Sequence, residues 1–66
     1  MPHMHAELTR EYEAWLAVNP SVPHLSADEA LYELIEPEPE KRTPEAKVQI
    51  DWLVDFINRW ERSMPA

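Results

Sequence analysis

Glu29, Glu33 and Glu36 recur at i, i+4 and i+7, and the acids run on as Glu36-Pro37-Glu38-Pro39-Glu40. Carboxylates so spaced can do three kinds of chemistry. A pair can act as general acid and base, a group can hold a divalent cation, and a row can present a negative field to a basic partner. Glycoside hydrolysis sets two carboxyls about 5 to 9 Å apart across a cleft. A helical chain of 66 residues has little room for one. Calcium loops need a glycine at their sharp turn, and the chain contains none.

The charge distribution points to the field. From Arg10 to Lys41 the chain carries eight carboxylates (Glu11, Glu13, Asp28, Glu29, Glu33, Glu36, Glu38 and Glu40) and no lysine or arginine between them. The other residues carry five acids against six bases, so this stretch accounts for the net charge of −7. On a helix, Glu29, Glu33 and Glu36 are separated by about 6 and then about 4.5 Å along the axis. Alternating prolines favour polyproline II at about 3.1 Å per residue, which puts Glu38 and Glu40 at steps of about 6 Å. The expectation is a ladder of five carboxylates about 5 Å apart, comparable in scale with the phosphates of one nucleic-acid strand (about 3.4 Å axial rise). The competing reading is a solvated face that serves solubility. Against it, like charges at i, i+4 destabilise a helix, and here three share one short helix with no interspersed lysine.

Other chemistries find little support. Without cysteine there are no disulfides or thiolate metal sites. Without glycine there is no Gly-rich phosphate loop. His3 and His5 lie near the terminus and His24 in a proline-rich loop, and all three read as surface residues. Ser26 and Thr43 read as helix caps, and no histidine can be placed beside a hydroxyl for Ser–His chemistry. No cofactor and no catalysis are expected. An acidic chain is repelled by nucleic acid and by anionic lipid, so neither is an expected direct partner. No apolar run approaches the roughly 18 residues of a membrane span, and no basic region precedes an apolar block as in a signal peptide. The expected setting is the cytoplasm.

These residues must be positioned by helices. Seven prolines punctuate three segments of helical period. Helix one, about 5–18, places Met4, Leu8, Tyr12, Trp15 and Leu16 on one face, and Asn19-Pro20 ends it. Helix two, about 27–36, begins at a capping box: the Ser26 hydroxyl can accept from the Glu29 amide, and the Glu29 carboxylate can reach back to the Ser26 amide. Its stripe is Ala27, Leu31, Leu34 and Ile35, and Pro37 stops it. Helix three, about 44–63, starts with Thr43 as N-cap and Pro44 at the first helical position. Its apolar seam reads Ala46, Ile50, Leu53, Ile57, Trp60 and Met64, widened by Trp52 and Phe56 on one flank and Val54 on the other, with Pro65 beyond. Residues 1–4 read as an unstructured or added leader, with Met4 as the natural start.

The fold expectation is a small all-α, three-helix domain over 5–64, two short helices packed on one long C-terminal helix. The long helix carries more apolar surface than two short ones need, so a homodimer through it is a second expectation. Trp52, about 100° from the seam centre, reads as the exposed aromatic, with Phe56 beside it. The functional expectation is a small non-catalytic binding module. It presents Glu29, Glu33, Glu36, Glu38 and Glu40, with Trp52 and Phe56, to a basic and nucleic-acid-binding partner. Inhibitors of the DNA-mimic type used by phages against host defence, and antitoxin-like proteins, have this size and charge. The alternative is a structural or assembly subunit that uses the apolar face of helix three.

Overall fold

A computed structural model describes residues 4–63. The chain folds as three α-helices: α1 is Met4–Val18, α2 is Ala27–Ile35 and α3 is Pro44–Arg62, with a short 3-10 turn at Pro39–Lys41 between the last two. The long C-terminal helix packs against the two shorter ones, as expected. Of the leader expected over 1–4, Met4 is instead the first residue of α1, while residues 1–3, the side chain of Met4, and Met64 and Pro65 lie outside the described residues.

The ends follow from local chemistry. Thr43 Oγ1 accepts from the Ala46 amide at 3.0 Å, with Pro44 next in line where no intrahelical N–H is needed. Asn19 closes α1: its Nδ2 donates to the Trp15 carbonyl at 2.9 Å and its amide donates to Leu16 O at 3.1 Å. Ser26 caps α2, accepting from the Glu29 amide at 3.4 Å. The return bond differs from the expected one. The Glu29 carboxylate accepts from the Ser26 hydroxyl at 2.9 Å rather than from the Ser26 amide.

The C-terminus of α2 needs a different device. Helices commonly end on a left-handed residue, most often glycine, that satisfies the last carbonyls. This chain has no glycine, and none of its described residues has positive φ. Arg42 supplies the bonds instead: Nη2 donates to Ile35 O at 2.6 Å and Nε to Pro37 O at 2.9 Å. These bonds fold the linker back. The expected polyproline run gives way at Pro39, where Lys41 N donates to Glu38 O at 2.8 Å and the 3-10 turn forms.

The molecule is flat, 44 × 25 × 16 Å. Three helices cannot surround one another, so each keeps a wet face and few residues are fully enclosed. Leu16, Val22, Ala30 and Leu53 form the centre. The bare methyl of Ala30, wholly buried, lets α2 approach α3 closely. Val22, from the loop read as a plain connector, is 1% exposed and belongs to this core.

The seam of α3 is rotated from the expected one. Its buried residues are Gln49, Leu53 and Phe56, while Ile50 and Ile57 are half-buried and Val54 is exposed. At about 100° per residue, the buried centre lies about 50° from the expected line, toward Trp52. The cause is polar. Gln49 is 3% exposed, and its Nε2 donates to Asn19 Oδ1 at 3.2 Å and to Ser21 Oγ at 3.3 Å, both from the α1–α2 connection. A buried amide is tolerated when it is bonded.

The rotation builds an aromatic file between α1 and α3. Trp15 and Trp52 stack with centroids 4.2 Å apart, Trp52 meets Phe56 at 5.2 Å, and Phe56 meets Tyr12 at 5.3 Å and Trp60 at 6.1 Å. His5, expected at the surface, is half-buried and stacks on Trp60 at 4.5 Å. Beside the file, Arg59 grips Glu11 of α1 through both terminal nitrogens, one contact being 3.2 Å. Its Nε lies 3.1 Å from Asp55 Oδ2 without a well-aimed hydrogen bond, so that contact is mainly Coulombic.

Candidate functional site

The acidic face is built by α2 and the turn after it. The apolar residues Ala27, Ala30, Leu31 and Leu34 turn one side of α2 inward. A helical period then forces Glu29, Glu33 and Glu36 to the other side, and all three are exposed. Glu38 and Glu40 follow, also exposed.

No lysine or arginine neutralises this face among the described residues. The ion pairs found there are Arg59 with Glu11 and Arg59 with Asp55, both at the α1–α3 side. Arg42 is the base nearest in sequence with a fixed role, and its fork points at the carbonyls of Ile35 and Pro37. α2 has no basic residue in its last turn, so Glu33 and Glu36 sit at the negative end of the helix dipole, where carboxylates are disfavoured. The carboxylates of the face thus have no base in ion-pair contact, and the Arg42 guanidinium on the Ile35 and Pro37 carbonyls is the cation fixed at the end of their helix.

The ladder is less regular than the sequence suggested. Glu38 is in extended conformation, but Glu40 lies within the 3-10 turn. A 3-10 rise of about 2 Å per residue brings Glu38 and Glu40 closer along the axis than polyproline II would. Glu29, Glu33 and Glu36 form the ordered part of the row.

The two aromatic residues assigned to partner binding lie elsewhere. Phe56 is 2% exposed and enclosed in the aromatic file. Trp52 is half-buried, with its ring against Trp15 and Phe56. Their expected exposure rested on the unrotated seam of α3. The exposed aromatic is Tyr32, 68% accessible, on α2. At helical period it lies between Asp28, Glu29, Ile35 and Glu36, and Ile35 beside it is 40% exposed. The sequence did hold a signal for it: Tyr32 falls off the Ala27–Leu31–Leu34 stripe and among the acids.

Compared with protein-family models, with curated proteins and with solved structures, the chain matches none. Its own residues therefore carry the functional argument. Among the described residues no group of three His, Cys, Asp or Glu side chains is placed to hold a metal ion, and no helix is long and apolar enough to cross a membrane.

Proposed function

We propose that this protein is a non-catalytic binding module that docks the acidic face of α2 onto a basic protein, one whose groove ordinarily receives nucleic acid. The observation that supports this most is that Glu29, Glu33 and Glu36 stand in one exposed row with, among the described residues, no lysine or arginine within ion-pair distance. Such a row weakens its own helix and is explained if a partner supplies the missing positive charge. Tyr32, accessible within the row, gives the contact an aromatic anchor with a polar surround, the usual make-up of a binding hot spot.

Docking of this kind works through complementary fields. Association is fast at low ionic strength and slows steeply as salt screens the two surfaces. The partner's nucleic acid is displaced because the same basic groove cannot hold both. The test starts with a protein retained from host lysate at low salt and released at high salt. Once that protein is purified, the wild-type chain displaces nucleic acid from it. The Glu33→Lys, Glu36→Lys variant, which keeps the Ser26–Glu29 cap and is folded by circular dichroism, does not. Undiminished low-salt binding by that variant refutes the proposal.

A further inference from the structure

At the head of the acidic face, α1, the start of α2 and the C-terminal half of α3 enclose a groove of about 350 Å³. Tyr12, Phe56, Ile57 and Trp60 are among its lining residues, together with the exposed carboxylates Asp28 and Glu61. No lysine or arginine lines it. Among the described residues, neither Asp28 nor Glu61 has a base within ion-pair distance.

The fold already holds a guanidinium in such a setting, on the other flank of α3. There the Arg59 guanidinium lies 5.7 Å from the centre of the Phe56 ring while it pairs with Glu11 and Asp55. The groove repeats those elements, Phe56 again with Trp60 and Tyr12 and two carboxylates, with no lysine or arginine in its lining; His5 covers one face of Trp60, which leaves the other for a guest. The positive end of α2 also faces it, but that amounts to roughly half a unit charge, against full charges on Asp28, Glu29 and Glu61.

We propose that the groove receives an arginine side chain of the basic partner, its guanidinium stacked on Trp60 and Tyr12 and paired with Asp28 and Glu61. This rests on the binding reading above and names what the partner brings. Arginine suits the groove better than lysine because its planar, weakly hydrated head stacks on aromatic rings and pairs with carboxylates at once. The Tyr12 hydroxyl already donates to Leu25 O at 2.8 Å and its ring stacks on Phe56 at 5.3 Å, so what the residue adds to the groove is ring surface and not a hydrogen bond. Ligand pockets start near about 300 Å³, so the volume admits the arginine and part of the adjoining residue. Asp28 precedes Glu29 directly, so a chain lying along the α2 row reaches the groove at its end.

The experiment uses the full chain and three short blocked peptides: alternating alanine and arginine, its lysine counterpart, and its uncharged citrulline counterpart. By nuclear magnetic resonance, the arginine peptide shifts the Trp60 indole and Ile57 methyl signals. The lysine peptide shifts amides of residues 29–36 and leaves those two in place, and citrulline shifts neither set. Asp28→Asn with Glu61→Gln, both at exposed positions, binds the arginine peptide roughly threefold to tenfold more weakly and keeps its helix content. If the arginine peptide moves the 29–36 amides but not Trp60 and Ile57, the groove inference fails and the docking of the row stands. Equal Trp60 shifts from citrulline or lysine overturn the guanidinium assignment. Unmoved signals throughout, with either basic peptide, remove both readings.

Discussion

Trp15 of α1 and Trp52 of α3 lie face to face, ring centroids 4.2 Å apart and planes within 2° of parallel. α1 makes few close backbone approaches to α3, so side chains of this size are what bridge the two helices. Large flat rings fill that gap with much contact area at low rotamer cost. The stack also explains why Trp52 is not the exposed anchor its sequence position suggested.

Trp52→Ala should therefore cost the domain much of its stability. Truncating a buried tryptophan costs about 3–5 kcal/mol, and the half-buried Trp52 should fall toward the lower value. A single core of this size rarely supplies more than about 3–5 kcal/mol in all, so the variant should be largely unfolded near room temperature. Trp52→Phe retains a stackable ring and should restore most of the fold. Thermal melts by circular dichroism check both, and a variant that melts with the wild type contradicts the bridging role.

Arg42 should prove a structural residue despite its place in an exposed linker. Arg42→Ala withdraws donors from the Ile35 and Pro37 carbonyls. Hydrogen bonds to charged groups contribute about 1.5–3 kcal/mol. These carbonyls can turn to water, so the expected loss is nearer the low figure, a drop in midpoint of about 4–8 °C per kcal/mol for so small a domain. Arg42→Lys has a single ammonium in place of a fork and should recover less than half. Hydrogen exchange across 31–36 should quicken in both variants.

The helix ends were legible because caps and prolines are local: Ser26, Thr43-Pro44 and Asn19-Pro20 act within a turn of where they stand. The acidic face was legible for the same reason, since the apolar stripe of α2 fixes where Glu29, Glu33 and Glu36 must go. The rotation of α3 was not. It goes with tertiary contacts, Gln49 to Asn19 and Ser21 some thirty positions back and Trp52 to Trp15, which no window of helical period contains. The turn at Pro39–Lys41 was missed on similar grounds. Alternating proline favours extended chain, but the Arg42 bonds to Ile35 and Pro37 prevail. Trp52 and Phe56 were misplaced as a consequence of the first of these, and Tyr32 was overlooked as the accessible ring.

Tyr12 should set the alkaline limit of stability. Burial pushes its phenol above the ordinary value near 10, because the phenolate loses hydration. The unfolded chain then ionises first as pH rises. The stability due to this group is complete below about pH 10 and declines as pH climbs through the folded value. The hydroxyl also donates to Leu25 O at 2.8 Å, a bond that the phenolate cannot make. Tyr12→Phe should lower stability at neutral pH by about 1 kcal/mol, the usual net worth of a hydrogen bond, and should flatten the loss between pH 10 and 12. Denaturant midpoints across about pH 7–12 give the comparison. Parallel curves for the two proteins would show that Tyr12 does not govern the limit.

Glu33→Gln with Glu36→Gln should make the protein more stable and less able to bind. Glu33 follows Glu29 at i+4, a spacing at which like charges destabilise by about 0.2–0.5 kcal/mol. Both substituted residues also sit at the negative end of the dipole of α2, where removing a carboxylate recovers about 0.3–1 kcal/mol at low ionic strength. Glu29 is left in place because it takes part in the Ser26 cap. The variant should melt several degrees higher in low salt. Added salt should raise the wild-type midpoint toward it, since screening removes the same repulsion. A face retained only for solubility would lose nothing else by the change. If the row exists for a partner, the stabilised variant should bind a basic peptide more weakly, with a shallower salt dependence. Gain of stability with no loss of binding would leave the solubility reading as the better account of these two residues.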